Sequence, residues 1–216
     1  MLKYKIYDLS INIKNNMIKW PSDPEINIKD LYSIKKGDNL NFKEINFGVH
    51  TGTHIDAPYH FNNKGKKIHQ LNLYDLIGEV YVKEINSPVI NKKVLKSIDL
   101  LKYKRILFKT LNSKLQLLNK KFFTENYVHI TKDGAKYLAK NKIKVVGIDY
   151  LSIESYKNKK GDAHKILTNA NIIILESLNL SKVKEGSYLL IALPIKLYNS
   201  DGAPARIVLI KFENEK

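Results

Sequence analysis

The sequence predicts a single α/β domain with a mixed sheet over residues 1–216. The chain has 216 residues, which is enough for one sizeable hydrophobic core but short for two. Segments with the apolar patterns of strands are interspersed with segments at helical spacing along the whole length. No repeat, low-complexity tract or evident linker interrupts this mixture. Strands and helices that intermix in this way are typical of one α/β domain.

The N-terminal part is expected to form three strands and a proline-rich loop. Alternating apolar residues predict strands over 5–13 (KIYDLSINI) and 40–50 (LNFKEINFGVH). The second of these strands would end at His50. The two prolines of 20–28 (WPSDPEINI) disfavour a helix, so this segment is expected to be a loop that leads into another strand.

The middle of the chain is expected to alternate helices with strands. Apolar residues near helical spacing predict a helix over 68–78, and Gly78 is a stop signal at its end. A strand should follow over 79–85, then a short helix over 91–100 and a strand over 105–110.

The C-terminal part is expected to contain two helices and four strands. Thr131 has the side chain of a helix cap and begins a segment with a small apolar stripe. Two of the strands are continuous apolar runs, which are typical of strands that are buried on both faces. The predicted elements are helices over 131–143 and 162–170, and strands over 144–149, 172–177, 187–197 and 205–212.

Composition restricts the sites and partners that the protein can have. Cysteine is absent, which excludes disulfides and thiolate metal sites and leaves nitrogen and oxygen ligands for any metal. No apolar run approaches the roughly 18 residues of a membrane helix. The N-terminal segment also lacks the apolar block of a signal peptide. We therefore expect a soluble, cytoplasmic protein without a membrane partner.

The formal net charge of +16 raises the question of nucleic-acid binding. Of the 37 basic residues only Arg105 and Arg206 are arginine, the residue that is favoured for bidentate contacts to bases and phosphates. The lysines are spread along the chain and do not cluster. These features favour a solvated lysine surface that could draw anionic substrates inward. A basic nucleic-acid-binding protein with a structural His/Asp site is the alternative from another class, and it predicts strongly salt-dependent binding.

The densest group of potential metal ligands lies in residues 50–60, HTGTHIDAPYH, which hold three of the six histidines. Glycine and proline make one continuous helix unfavourable here. Four extended residues span about 13 Å, too far for His50 and His54 to share an ion comfortably. A turn near Gly52 would instead bring His50, His54 and Asp56 to one point. The spacing therefore predicts a catalytic metal site with open coordination positions, and a loop of hydrogen-bonded histidines is the simpler alternative.

The other candidate residues carry weaker signals when they are taken alone. His164 begins a short predicted helix, and Glu176 ends an apolar strand, where a carboxylate either is solvated or faces a site. Trp20, the only tryptophan, is either a core residue or a stacking platform. His69 and His129 are expected to be ordinary surface histidines.

The sequence HTGTHIDAPYH resembles the motif H-x-G-T-H-x-D-x-P-x-H of the cyclase-like metal-dependent hydrolases. This family includes bacterial kynurenine formamidases and isatin hydrolases. The resemblance extends over nearly the whole chain, and Ser22 stands where the family usually has a glycine. The further segments that resemble the family are WPSDP, VVGIDYLSIE, HKILTNANIIILESLNL and ALPIKLYNSDGAPARIVLI.

The resemblance implies a swivelling β/β/α fold and assembly as a homodimer or homotetramer. It also implies two divalent ions per chain, zinc or manganese. His50, His54 and Asp56 would hold the first ion. Asp56 would bridge to the second ion, which His164 and Glu176 complete.

The resemblance further implies hydrolysis of a non-peptide C–N bond in a small-molecule amide. The leading candidate is an arylformamidase of tryptophan catabolism that converts N-formylkynurenine to kynurenine and formate. A metal-activated hydroxide would attack the carbonyl, His60 would act as general acid and base, and Trp20 would stack on the substrate. The alternatives are the opening of a cyclic amide or lactone, as in the isatin-hydrolysing relatives, and metal binding without activity.

Overall fold

Strands dominate the fold. The computed structural model describes residues 3–213. The strands are β1 (Tyr4–Asp8), β2 (Asn27–Tyr32), β3 (Phe42–Asn46), β4 (His54–Asp56), β5 (Ile77–Glu84), β6 (Arg105–Lys109), β7 (Val145–Ile148), β8 (Ile173–Glu176), β9 (Gly186–Pro194) and β10 (Gly202–Phe212). The α-helices are α1 (Leu73–Leu76), α2 (Lys92–Leu95), α3 (Leu111–Lys114), α4 (Lys132–Lys140) and α5 (Asp162–Asn169). None of the helices described is long and apolar enough to cross a membrane.

The main sheet closes on itself as a barrel. Its strand order is β1-β10-β4-β8-β7-β6-β5-β9, and β9 also pairs with β10. The three pairs among β5, β6, β7 and β8 are parallel, whereas the remaining pairs are antiparallel. The predicted α/β fold with a mixed sheet is therefore confirmed, and closure leaves β1 outside the ring as an extra strand on β10.

Two hydrophobic clusters lie on opposite faces of the parallel strands. On β6, Leu107 belongs to a cluster built from strand residues, whereas Ile106 and Phe108 belong to a cluster that includes α4 and α5. All three side chains are fully buried. Alternate side chains of one strand thus fill two cores, which explains why the three residues between Arg105 and Lys109 are all apolar.

The C-terminal predictions agree with the structure to within a few residues. The predicted strands from 79–85 onward correspond to β5 through β10, and the helices predicted over 131–143 and 162–170 correspond to α4 and α5. The helix predicted over 91–100 is shorter, because only α2 (Lys92–Leu95) is helical there. The side chain of Thr131 accepts a hydrogen bond from the Gly134 N–H and caps α4, as expected for a threonine at this position.

The predicted helix over 68–78 is wrong. Only Leu73–Leu76 is α-helical, and Gly78 lies inside β5 instead of ending a helix. The side chain of Arg105 reaches this segment from β6, and its Nε donates to the carbonyl oxygen of Asp75 at 2.7 Å. Gly78 has φ +142°, and a Cβ there would lie 2.8 Å from the Arg105 guanidinium. A tertiary contact therefore overrides the local helical pattern.

The two longest N-terminal predictions also need correction. The predicted strand over 5–13 ends at Asp8, because Ile11 N–H donates to the Thr53 hydroxyl at 3.0 Å instead of joining a strand. The predicted strand over 40–50 ends at Asn46, so His50 lies in the following turn. β2 and β3 pair only with each other in the part of the chain described.

Candidate metal centre

β4 places two of the predicted ligands in the wall of the barrel. This three-residue strand pairs with β10 on one side and β8 on the other, and His54 lies opposite Glu176. Opposed residues of antiparallel strands share a face, as do residues two apart on one strand. His54, Asp56 and Glu176 therefore project together, while Ile55 between them is fully buried in the core.

The predicted turn near Gly52 is present. Gly52 has φ +68°, and a Cβ at this position would lie 2.8 Å from Cγ1 of Ile13, so only glycine fits without strain. The turn brings His50 back toward β4, where its Nδ1 lies 2.8 Å from Oδ1 of Asp56. The carbonyl oxygen of Gly52 also lies 2.9 Å from Nδ1 of His54, which fixes that ring.

Four of the predicted ligands, two imidazoles and two carboxylates, lie close together. Nε2 of His54 lies 3.2 Å from Oδ1 of Asp56 and 3.4 Å from Oε2 of Glu176. The imidazole of His164 approaches from α5, and its Nε2 lies 3.3 Å from Oε1 of Glu176 and 3.7 Å from Oδ2 of Asp56. All four side chains are buried, and the two carboxylates lie between the two imidazoles.

Unpartnered polar atoms show that this cluster fits a divalent cation. Nε2 of His54 and Oδ2 of Asp56 are buried, yet neither has a hydrogen-bond partner among the residues described. An unsatisfied buried polar atom costs about 1–3 kcal/mol, and a bound cation would remove this cost. Imidazole nitrogens and carboxylate oxygens are ligands that zinc and manganese accept, so the donor set is chemically suited to such an ion.

His50 and His60 form a second group with Asp56. The donor atoms of these three side chains lie within 4.8 Å of one another. Asp201 joins them: its Oδ2 lies 2.8 Å from Nε2 of His50 and 2.8 Å from Nδ1 of His60. Asp56 also belongs to the group with His54 and Glu176, so it is common to both parts of the site.

Burial and ion pairing act in opposite directions on the pKa values of the site. Burial alone would lower the pKa of His54 and His164, but the neighbouring carboxylates outweigh it and raise both to about 10. The same balance raises the pKa of His50 to about 9. Burial would raise the pKa of Asp56, but His50 and His60 hold it well below its usual value. Without an ion the site is a set of imidazolium–carboxylate pairs, and ion binding must release protons.

Metal-free protein is expected to lose stability as the pH rises from about 6.5 toward 10. A histidine with a raised folded pKa stabilises the fold fully below its unfolded value of 6.5, and this contribution disappears as the pH rises through the folded value of about 10 for His54 and His164. Urea midpoints of chelator-treated protein between pH 6 and 10 measure this change. The decline should be shallower in His54→Gln, and a midpoint that rises over this range would contradict the expectation.

Two acidic residues that contact the predicted histidines were not predicted from the sequence. One is Asp201, and the other is Glu154, which lies 3.7 Å from Nδ1 of His164. Oε2 of Glu154 also accepts hydrogen bonds from the N–H groups of Ala163 and His164, at 2.7 and 3.3 Å. Both acids lie in sequence segments that resemble the family, and each lies in a loop close to the end or the start of a strand. That position is the sequence feature from which they could have been predicted as site residues.

The site opens into a cavity of about 460 Å³. Trp20 lines this cavity, and its ring meets those of Tyr156 and Phe123 edge to face, with centroids 5.4 and 5.3 Å apart. Lys159 also lines the cavity, with its Nζ 3.5 Å from the centre of the Tyr156 ring. His60 belongs to the same lining. The cavity therefore combines an aromatic wall and a cationic edge with the histidine–carboxylate cluster.

The two remaining histidines do not line this cavity. Asn199 N–H donates to Nδ1 of His69 at 3.1 Å, and Nδ1 of His129 lies 3.0 Å from the carbonyl oxygen of Tyr127. Both side chains are half-buried, so the expectation of simple surface histidines is only partly met.

The chain is similar to known proteins over nearly its whole length. The profile of the family described as Putative cyclase matches residues 7–155. A kynurenine formamidase of Bacillus cereus is 34% identical over 203 residues, which cover 94% of this chain and 95% of that protein. Cyclase-like protein 3 of Arabidopsis thaliana is 36% identical over 96% of this chain and 80% of its own length. The solved structure of a predicted metal-dependent hydrolase from Bacillus stearothermophilus superposes with a TM-score of 0.83 at 32% identity, covering 96% of this chain and 98% of that one.

Proposed function

The chain belongs to the putative cyclase family, and we propose that it is a metal-dependent arylformamidase. In the proposed reaction it hydrolyses the amide bond of N-formylkynurenine to give kynurenine and formate. The observation that carries this proposal is the histidine–carboxylate cluster around Asp56 at the base of a cavity with an aromatic wall. The similarity to kynurenine formamidases over 94% of the chain supports the same activity.

The proposed cofactor is a pair of divalent ions, zinc or manganese. His50, His54 and Asp56 would hold one ion, and Asp56, His164 and Glu176 would hold the other. The distances between the carboxylates of Asp56 and Glu176 and the surrounding imidazoles support this assignment. His54 lies close to Glu176 as well as to Asp56, so it borders both proposed positions.

The chemistry of the reaction is divided between the ions and His60. When bound, a divalent ion polarises the substrate carbonyl and lowers the pKa of a coordinated water from about 16 to about 7. His60 lies beside the ligands, with its ring centre 5.9 Å from that of His164. It accepts a proton from the attacking water as the new C–O bond forms. It then returns that proton to the aniline nitrogen as the C–N bond breaks, so that kynurenine departs as a neutral amine and formate remains.

The cavity lining also supports an aromatic substrate with a carboxylate. Trp20 and Tyr156 present ring surfaces on which an aryl group can stack. Lys19 and Lys159 also line the cavity and supply positive charge for a substrate carboxylate. N-formylkynurenine has both an aryl ring and a carboxylate.

Metal analysis combined with a substrate panel tests the proposed function. The panel contains N-formylkynurenine, formanilide, isatin and an aryl lactone, each assayed before and after chelation. We expect formamide hydrolysis that stops on metal removal and returns with zinc or manganese. Turnover of only the cyclic substrates would replace the formamidase assignment with a cyclic-amide or lactone hydrolase. Inactivity on the whole panel, together with salt-dependent DNA or RNA binding, would reject a hydrolase.

Trp20→Ala is expected to raise KM for aryl formamides about two- to tenfold and to change kcat little. Stacking contributes roughly 0.5–1.5 kcal/mol, and it is present in both the ground state and the transition state. Steady-state kinetics with formanilide and with an N-alkyl formamide measure the difference. Equal changes for the two substrates would contradict the stacking role.

We further propose that the protein is a homodimer or homotetramer. Leu31, Tyr32, Phe42 and Ile45 are between 44% and 59% exposed on the β2–β3 hairpin. An isolated two-stranded hairpin is only marginally stable in water, and exposed apolar residues mark interaction sites. A second copy of the chain would cover this surface. Sedimentation velocity tests the assembly, and a stable monomer at micromolar concentration would contradict it.

The two ends of the described chain lie in the same sheet. We propose that residues 1–216 form one hydrolase domain in the cytoplasm. The participation of both β1 and β10 in the main sheet supports a single domain, because it joins the two ends of the described chain. Limited proteolysis tests the domain extent, and cell fractionation tests the location.

A further inference from the structure

We propose that Asp201 is the positioning residue for His60, and that it orients His50 through the same oxygen atom. Oδ2 of Asp201 lies 2.8 Å from Nδ1 of His60 and 2.8 Å from Nε2 of His50. The two rings are tilted by 37°, with their centres 4.1 Å apart. One carboxylate therefore serves both the proposed acid–base residue and a proposed metal ligand.

The backbone holds Asp201 in place independently of either histidine. Its carbonyl oxygen accepts from Ala57 N–H at 2.8 Å, and the next residue, Gly202, pairs with Asp56 in the β10–β4 ladder. A Cβ at Gly202 would lie 2.5 Å from Cε1 of His50, so the His50 ring packs directly on the backbone there. The carboxylate thus lies directly before β10, which pairs with β4, the strand that carries His54 and Asp56, and it needs no rearrangement to meet the two rings.

The contacts fix which nitrogen of each ring carries a proton. An ionised carboxylate only accepts hydrogen bonds, so His60 must donate from Nδ1 and His50 must donate from Nε2. His60 then keeps Nε2 for the proton that it transfers, and this nitrogen has no hydrogen-bond partner among the residues described. An aspartate that holds a catalytic histidine in one tautomer has the same effect in hydrolytic triads, where replacing it with asparagine costs about 10⁴-fold in kcat.

The hydrogen bond between Asp201 and His50 is expected to affect metal binding. With Nε2 donating to Asp201, Nδ1 is the nitrogen that faces Asp56, at 2.8 Å. In the metal-free protein Nδ1 donates to Asp56 as well, and it must lose that proton to bind an ion. Carboxylates that hold the second nitrogen of a ligating histidine change metal affinity by about 10–100-fold when they are removed. Asp201 is therefore expected to affect metal affinity through His50 and proton transfer through His60, and the two effects separate at saturating metal.

Asp201→Asn tests the inference, which rests on the proposed function of His60. At saturating metal, kcat for a formanilide should fall by at least tenfold but no further than in His60→Ala, with little change in KM. In the His60→Ala background, Asp201→Asn should cause no additional loss. The loss should shrink for activated aryl esters, whose leaving groups need no proton. Ser200→Ala is the matched control: its hydroxyl bonds the Gly202 carbonyl oxygen at 2.6 Å in the same loop, and this variant should keep wild-type kcat.

A second measurement does not depend on activity. In ¹⁵N–¹H spectra of the zinc-loaded protein, His60 should be protonated at Nδ1 in the wild type, and this state should be lost or mixed in Asp201→Asn. A multiplicative loss in the double variant, or a His60 tautomer that does not change, would overturn the inference. If the wild type hydrolyses no amide or ester, the proposed function fails, and the tautomer measurement still decides the role of Asp201.

Discussion

Asp56→Asn is expected to abolish both metal binding and hydrolysis. Asp56 is common to the two groups of donor atoms, with His50 and His60 on one side and His54 and Glu176 on the other. An amide is a poorer metal ligand than a carboxylate. Asparagine keeps the volume of aspartate, so the loss of metal should not result from a cavity. The total content of divalent metal should fall well below one ion per chain, and activity should fall by several orders of magnitude.

The substitution should also change stability in a defined direction. Removing one partner of a buried charge network typically costs about 3–5 kcal/mol, so metal-free Asp56→Asn should unfold at a lower denaturant concentration than metal-free wild type. Elemental analysis and urea unfolding on the same preparation separate loss of metal from loss of fold. Asp23→Asn is the matched control, because Asp23 lines the same cavity but belongs to neither donor group. Full metal occupancy in Asp56→Asn would contradict its proposed bridging role.

The strands from β5 onward could be predicted from the sequence because the apolar residues of each strand form a recognisable pattern. In β6, Ile106 and Phe108 face one core and Leu107 faces the other, so the three residues between Arg105 and Lys109 are all apolar. The segment at 68–78 has an equally regular pattern, but its backbone carbonyl groups bind Arg105, a residue of a later strand. The spacing of apolar residues within the segment gives no information on this long-range contact, and the predicted helix is wrong for that reason.

The candidate site likewise combines residues that are close in the sequence with one that is distant in the sequence. His50, His54, Asp56 and His60 lie in one short motif. The turn at Gly52 brings His50 close to His54 and Asp56, and His60 ends the short 3-10 helix Pro58–His60 that follows Asp56. Asp201 is about 140 residues away in the chain from His60, with which it shares a hydrogen bond. It reaches the site only because β10 lies next to β4 in the barrel wall. Such a contact depends on strand order, which the apolar pattern of the individual strands does not specify.

His60→Ala is expected to lower kcat by about 10²–10⁴-fold while leaving the metal content near that of the wild type. A general acid–base residue typically contributes a factor of this size. Nδ1 of His60 lies 2.8 Å from Oδ2 of Asp201, and the His60 ring lies beside the tilted ring of His50 with ring centres 4.1 Å apart. The loss should appear in kcat more than in KM, because the proton moves in the transition state and not on binding.

The dependence on the leaving group separates His60 from the metal ligands. An anilide needs a proton on its nitrogen as the C–N bond breaks, whereas an activated aryl ester departs without one, so the loss in His60→Ala should be much smaller for the ester. Kinetics on the two substrates, with metal analysis of the same samples, measure this difference. His69→Ala is the matched control, because this half-buried histidine does not line the cavity, and it should change neither kcat nor metal content. If His60→Ala loses metal in proportion to activity, His60 is a ligand, and the proton must be transferred by another group in the cavity.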